Sequence, residues 1–164
     1  MTTIAFRDGI LAADTQGSWG GTPTIQTKIR RLPKFALAGA GIIERILDLE
    51  DDLRAWVNWD AFSIHKLLDF RWERFKGEGA PDYDRDPQVI AVSPHGTVYK
   101  LCRDRFSLTT LAAGPFIALG SGSDYALGAM AHGATAAEAV AIAARLDIHT
   151  GGEIQTLKVK DLTP

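Results

Sequence analysis

The short links between predicted strands constrain the fold of this chain more than any other feature. Apolar runs of strand length occur in pairs separated by turn-forming residues, and Asp8-Gly9 is a dipeptide favoured where a hairpin turn needs positive φ. The predicted pairs and their turns are 2–7 and 9–15 around Asp8-Gly9, 27–32 and 35–39 around Pro33-Lys34, and 88–93 and 97–102 around Pro94-His95-Gly96. Links of this length cannot hold the crossover that joins parallel strands, so the sheets are expected to be antiparallel.

Helices are predicted in two pairs between and after these strands. Their sequence signals are apolar residues at helical spacing and, in Thr135-Ala136-Ala137-Glu138, a capping box. The predicted helices are Ile42 to Val57, Asp60 to Phe75, Ser123 to His132 and Ala136 to Leu146, further strands are Pro115 to Leu119 and 154–160, and loops are 16–24 and 76–87. This order favours an α+β fold in which antiparallel sheets are covered by helices and stack as a sandwich.

The composition places the chain among ordinary globular proteins and excludes several classes. Its 164 residues, of which 46% are hydrophobic and 23% charged, fit a single domain over 1–164. The net charge of −2 gives no broad field for nucleic acid or a membrane surface, and no apolar stretch is long enough to span a bilayer. Cys102 is the only cysteine and the start of the chain lacks a signal-peptide pattern, which predicts a cytoplasmic protein. The four histidines have no metal-ligand spacing, so neither metal nor cofactor is expected.

The start of the chain carries the most reactive candidate residue. Removal of Met1, which the small residue at position 2 permits, would leave Thr2 with a free α-amine. An α-amine has a pKa of about 8, so it can act as a base for the hydroxyl of the same residue. Thr2 could therefore supply both a nucleophile and its base.

Other polar residues at the ends of predicted elements could support such a nucleophile. The ammonium of Lys28 would lower the pKa of a nearby threonine hydroxyl, and Asp14 could hold that ammonium in place. A lysine on a strand is more often simply solvated. Backbone amides of the Gly39-Ala40-Gly41 segment could stabilise an oxyanion, although these glycines could equally serve only the turn.

Six sequence segments together resemble the landmarks of proteasome β-subunits and the bacterial HslV peptidase. The resemblance covers nearly the whole chain and keeps the family's order and approximate spacing. The segments are Thr2-Thr3-Ile4, Asp8-Gly9 with Ala12-Ala13-Asp14-Thr15, Lys28-Ile29, Ala38-Gly39-Ala40-Gly41, Ala118-Leu119-Gly120-Ser121-Gly122-Ser123, and Asp147-Ile148-His149-Thr150-Gly151-Gly152.

This resemblance implies a four-layer α-β-β-α sandwich, the N-terminal nucleophile hydrolase fold, and a threonine-type peptidase. Thr2 matches the nucleophile, Lys28 the lysine that tunes it, and Asp14 the lysine's partner. The residues that would surround and orient the amine are Ser121, Asp147 and Thr150, with threonine replacing the family's second serine. Gly41 is the better match for the oxyanion amide and Gly39 is the alternative.

The same resemblance implies a peptide or unfolded-protein substrate and a homo-oligomeric ring. Because the chain has no nucleotide-binding motif, any ATP-dependent unfoldase would be a separate protein. Two other functions stay open. A catalytically silent ring or scaffold subunit would be favoured if Met1 persists, and an N-terminal nucleophile amidase would act on a small non-peptide amide.

Overall fold

The computed structural model describes residues 2–32, 35–41, 43, 46–47, 50–51, 54, 88–102 and 116–162. Within these ranges there are ten strands, two complete helices and one 3-10 turn. The strands are β1 (Thr3–Arg7), β2 (Ile10–Asp14), β3 (Gln16–Trp19), β4 (Thr22–Ile25), β5 (Ile29–Leu32), β6 (Phe35–Ala40), β7 (Gln88–Val92), β8 (Val98–Cys102), β9 (Phe116–Gly120) and β10 (Ile154–Lys158). The helices are α1 (Ser123–Ala131) and α2 (Ala136–Leu146), and the 3-10 turn is Val159–Asp161.

The first sheet has the strand order β10-β2-β1-β9, and its pairings are antiparallel. The predicted turn between β1 and β2 is confirmed, because Asp8 and Gly9 both have positive φ, 50° and 73°. That geometry matches the twist of a two-residue hairpin. Strand β10 adds to the outer edge of β2, which brings the C-terminal part of the chain beside the N-terminal hairpin.

The second sheet has the order β5-β6-β7-β8, again antiparallel. Both predicted hairpins of this sheet are confirmed by their strands. Gly96 supplies a positive φ of 79° in the link between β7 and β8. The predicted turn residues Pro33 and Lys34 lie outside the described residues.

The prediction of a loop over residues 16–24 is wrong. Strands β3 and β4 pair there as a separate two-stranded hairpin. Its turn is Gly20-Gly21, with φ of 56° and 84°, so two glycines provide the positive φ that such a turn needs. Trp19 is 71% exposed and Ile25 is 89% exposed, so the hairpin lacks the alternation of buried and exposed residues by which strands are recognised in sequence.

The two four-stranded sheets stack face to face over the main hydrophobic core. Alternation along β1 sends Ile4 and Phe6 into this core, where they join Ala38 and Ile90 of the second sheet. The opposite face of the first sheet is covered by α1 and α2, and there Ala5 packs with residues of both helices. The α+β class is therefore confirmed.

A helical segment also covers the outer face of the second sheet. The helical positions described there are Ile43, Ile46, Leu47, Glu50, Asp51 and Arg54. Ile46 lies against Gly39, since a Cβ on that glycine would be 2.9 Å from the isoleucine side chain. The remaining positions of the predicted helix 42–57 lie outside the described residues, as do the predicted helix 60–75 and loop 76–87.

The predicted helices after β9 are confirmed, and the last strand is shorter than predicted. Helix α2 begins with the capping box, in which Thr135 accepts a hydrogen bond from the Glu138 amide and the glutamate accepts one from the Thr135 amide. Strand β10 ends at Lys158, and the 3-10 turn follows, in which the Val159 amide donates a hydrogen bond to the Gly9 carbonyl. Within the described ranges, no helix has the length and apolar character needed to cross a membrane.

Candidate active site

Asp14 lies at one end of the first sheet, where its carboxylate binds several neighbouring groups. It is the last residue of β2 and its side chain is fully buried. Each carboxylate oxygen accepts two hydrogen bonds. The donors to Oδ1 are the Thr3 amide and the Lys28 ammonium, both at 2.8 Å, and the donors to Oδ2 are the amides of Gln16 and Gly151, both at 3.1 Å. Four donors satisfy a carboxylate that water does not reach, which is the condition for burying such a charge.

Lys28 lies just before β5 and projects into the space beside Asp14. Its side chain is 4% exposed, and besides the bond to Asp14 the ammonium donates to the Gln16 carbonyl at 2.6 Å. Burial lowers the pKa of Lys28 below its usual 10.5, and the hydrogen bond and charge of Asp14 offset only part of that shift. The lysine is therefore held in the protein interior by fixed partners.

The backbone at Lys28 is held by a side chain from the first sheet. The amides of Lys28 and Ile29 both donate to Oε1 of Gln155, at 2.9 and 3.3 Å. Gln155 lies on β10, the edge strand of the first sheet, whereas Ile29 begins the edge strand of the second. One glutamine thus joins two sheet edges at the point where the lysine enters the site.

Thr2 precedes β1 and is 5% exposed. Alternation along the strand places its side chain on the face of Ile4 and Phe6, toward the second sheet. Its carbonyl lies against Gly120, where a Cβ would be 1.9 Å from the Thr2 oxygen. Gly120 also has a φ of 91°, so both its conformation and its missing side chain suit this approach.

Asp14 fixes the distance between the lysine and the start of the chain. The Lys28 ammonium and the Thr3 amide bind the same carboxylate oxygen, each at 2.8 Å. The two nitrogens are therefore no further apart than twice that length. Because the Thr3 nitrogen is bonded to the carbonyl carbon of Thr2, the ammonium lies close to residue 2.

A second group of polar side chains gathers around Asp147, the residue after α2. Its Oδ2 accepts hydrogen bonds from the hydroxyls of Ser121 and Thr150, both at 2.6 Å, and its Oδ1 accepts one from the His149 amide. Partial burial raises the pKa of Asp147, but these hydrogen bonds outweigh burial and the net shift is downward. In the β1–β9 register Thr3 faces Gly120, the residue before Ser121, so the Asp147 group lies near the start of β1.

The loop from Asp147 to Gly152 is tied to the segment that follows Asp14. The carbonyl of Gly151 accepts hydrogen bonds from the amides of Thr15 and Gln16. The Gln16 side chain in turn donates to the Ile148 carbonyl at 3.1 Å. These hydrogen bonds therefore hold the Asp147 group and the Asp14–Lys28 group in one fixed arrangement.

The two glycines considered for an oxyanion site occupy different environments. Gly39 lies inside β6, where it faces Val89 in register and contacts Ile46. Gly41 follows the end of that strand, is exposed and has a φ of 116°. Its amide is thus outside the β6–β7 register.

The structure brings Asp14 and Lys28 into direct contact, and it joins Ser121 and Thr150 to Asp147. It also adds residues that the sequence did not reveal. Thr3, Gln16 and Gln155 bond directly to members of this group. Their parts depend on strand register and on the approach of β10, which no local motif encodes. The catalytic roles of Thr2, Asp14, Lys28, Ser121, Asp147, Thr150, Gly41 and Gly39 stay predictions. Among the described residues, no three His, Cys, Asp or Glu side chains converge as a metal site.

Solved structures similar to this chain match it over almost its whole length. BPH from Thiobacillus denitrificans is 24% identical, with 98% of each chain covered and a TM-score of 0.67. HslV from Trypanosoma brucei is 17% identical, with 96% of this chain and 98% of that chain covered and a TM-score of 0.66. The chain has the HslV and proteasome β-subunit type of fold.

The resemblance in fold expected from the sequence is thereby confirmed. A structure of Thiobacillus denitrificans BPH in complex with epoxomicin is also similar to this chain, with 25% identity, 99% of each chain covered and a TM-score of 0.58. No protein-family model and no curated protein sequence matches the chain.

Proposed function

We propose that this chain is a threonine-type peptidase that uses Thr2, exposed by removal of Met1, as its nucleophile. The observation that carries the proposal is the buried Lys28 ammonium, which shares one Asp14 oxygen with the amide that follows Thr2. An ammonium in a site of low dielectric lowers the pKa of a nearby hydroxyl far more than a solvated one would. The HslV-type fold supports the same function.

The proposed reaction needs only groups of this chain and water. The Thr2 hydroxyl oxygen bonds to the substrate carbonyl carbon while its proton passes to the Thr2 α-amine. The amide of Gly41, or alternatively Gly39, stabilises the oxyanion. The carbon–nitrogen bond then breaks, the protonated amine gives its proton to the leaving amine, and water hydrolyses the resulting ester.

In this proposal, one set of side chains acts on the Thr2 hydroxyl and a second set acts on its α-amine. Lys28 stabilises the developing negative charge on the hydroxyl oxygen, and Asp14 keeps the lysine charged and in place. Ser121, Asp147 and Thr150 orient the α-amine. The negative charge of Asp147, maintained by the hydrogen bonds that lower its pKa, favours the protonated amine formed during attack.

The test begins with the mature protein. Intact mass is expected to show that Met1 is absent, and incubation with epoxomicin is expected to add one inhibitor mass located at Thr2. Thr2→Ala is the matched control, because alanine is also small enough to permit removal of Met1. This variant should form no adduct and hydrolyse no peptide. Trimmed wild-type protein that forms no adduct and cleaves neither peptides nor unfolded protein would refute the proposal.

The assembly and setting proposed here follow from the family resemblance. The chain would form a homo-oligomeric ring in the cytoplasm, fed by a separate ATP-dependent unfoldase, and would need no cofactor. Retention of Met1 on the mature protein would instead favour a silent ring or scaffold subunit, because the blocked threonine then has no base. Hydrolysis of small amides without peptide cleavage would favour an N-terminal nucleophile amidase.

A further inference from the structure

Thr3 touches both polar groups of the candidate site. Its backbone amide donates to Asp14 Oδ1, the oxygen that also binds Lys28. Its hydroxyl lies 2.7 Å from the hydroxyl of Thr150. The residue is fully buried, so water does not compete for either bond.

The direction of the hydroxyl contact follows from the proton of Thr150. That single proton is donated to Asp147 Oδ2, so the Thr150 oxygen must accept from Thr3. The hydroxyls form a chain that runs from Thr3 through Thr150 to the carboxylate. Each hydrogen bond in such a chain polarises the next one.

We propose that Thr3 is a positioning residue that joins the Asp147 group to the Asp14–Lys28 group and sets their geometry around Thr2. The inference rests on the function proposed above. Thr3 acts through Thr150 on one side and through its own amide on the other, and it does not contact the reacting atoms.

The packing around this hydroxyl pair supports the assignment independently. A Cβ on Gly122 would be 2.1 Å from the Thr3 hydroxyl oxygen and 3.1 Å from that of Thr150. Gly122 has a φ of −90°, which any residue can adopt, so its backbone conformation does not require glycine. The missing side chain leaves the space that the two hydroxyls fill.

The experiment compares substitutions that keep the shape of the side chain. Thr3→Val replaces the hydroxyl with a methyl group of similar size and so removes the hydrogen bond. We expect kcat to fall about tenfold with little change in KM, because a tenfold change in rate corresponds to the loss of about one hydrogen bond. Thr3→Ser restores the hydroxyl and should recover most of that loss. Thr24→Val is the matched control, because Thr24 lies on β4, outside both polar groups, and its buried hydroxyl has no hydrogen-bond partner among the described residues. It should keep wild-type kcat.

A double-mutant cycle separates positioning from a general loss of packing. Thr150→Val should lower kcat more than Thr3→Val, and adding Thr3→Val to it should change kcat less than twofold, because Thr3 acts through Thr150. Intact mass and thermal unfolding of each variant verify Met1 removal and folding. If the wild-type protein is active, three results would overturn this inference alone. They are wild-type kcat in Thr3→Val, independent effects of the Thr3 and Thr150 substitutions, and no recovery of kcat in Thr3→Ser. An inactive, trimmed wild-type protein that forms no epoxomicin adduct would overturn the proposed function and this inference with it.

Discussion

Replacement of Lys28 by methionine tests whether the buried ion pair contributes to stability as the geometry requires. The substitution keeps an unbranched side chain and removes the ammonium, which leaves the fully buried Asp14 carboxylate with three amide donors. Breaking a buried pair from one side costs about 3–5 kcal/mol. Since three donors remain, we expect the lower end, about 3 kcal/mol. For a chain of this size that corresponds to a fall in Tm of about 6–12 °C.

The assay is thermal unfolding followed by circular dichroism at matched protein concentration and neutral pH. Lys158→Met is the control, because Lys158 lies exposed on β10, and its free energy of unfolding should change by less than about 0.5 kcal/mol. Asp14→Asn and the double variant complete a cycle in which removing both charges should cost less than the sum of the single changes. Equal Tm values for Lys28→Met and Lys158→Met would refute the reasoning.

Three further outcomes are expected. Gly120→Ala should lower the free energy of unfolding by at least about 2 kcal/mol, because the new Cβ would meet the Thr2 carbonyl. Gly133→Ala is the control, because Gly133 has a φ of 102° and open space around it, and denaturant titrations should show a cost of only about 1 kcal/mol. Above pH 3.8 the free energy of unfolding should be larger for the wild-type protein than for Asp147→Ala, and this difference should shrink as the pH falls through the lowered pKa of Asp147. Urea titrations from pH 7 to 3 would contradict this prediction if the difference grew as the pH fell. Thr135→Ala should cost about 1 kcal/mol through loss of its helix cap while leaving peptide hydrolysis unchanged, and a loss of activity in folded protein would count against a purely structural role.

Local signals in the sequence predict much of this fold because they act over a few residues. Asp8-Gly9 fixes a hairpin turn by its backbone preference, and Thr135 with Glu138 fixes a helix start by two reciprocal hydrogen bonds. The sequence pattern does not predict the hairpin of β3 and β4, because the residues of these strands are small, polar or exposed on both faces. Gly20-Gly21 was its clearest local signal, and a pair of glycines is as typical of an irregular loop.

Residue type and family resemblance predict which residues belong to the candidate site, but they do not predict the contacts that join those residues. Whether Asp14 faces Lys28 depends on strand register, and a slip of one residue would turn the carboxylate to the other face. The part played by Thr3 depends on Thr150, which is 147 positions away in the chain. Likewise Gln155 reaches Lys28 only because β10 pairs with β2 at the sheet edge. Such contacts arise from tertiary packing.

The hydrogen bond between Gly151 and Asp14 spans 137 positions of the chain, so the two halves of the candidate site leave the ribosome far apart in time. Contacts of such long sequence separation form late, after the entropy of closing a large loop has been overcome. Until α2, the loop after it and β10 have been synthesised, a nascent chain lacks Asp147, Thr150 and Gln155, whose side chain binds the backbone amide of Lys28. The Asp14–Lys28 group and the Asp147 group therefore cannot be joined until these elements have been synthesised.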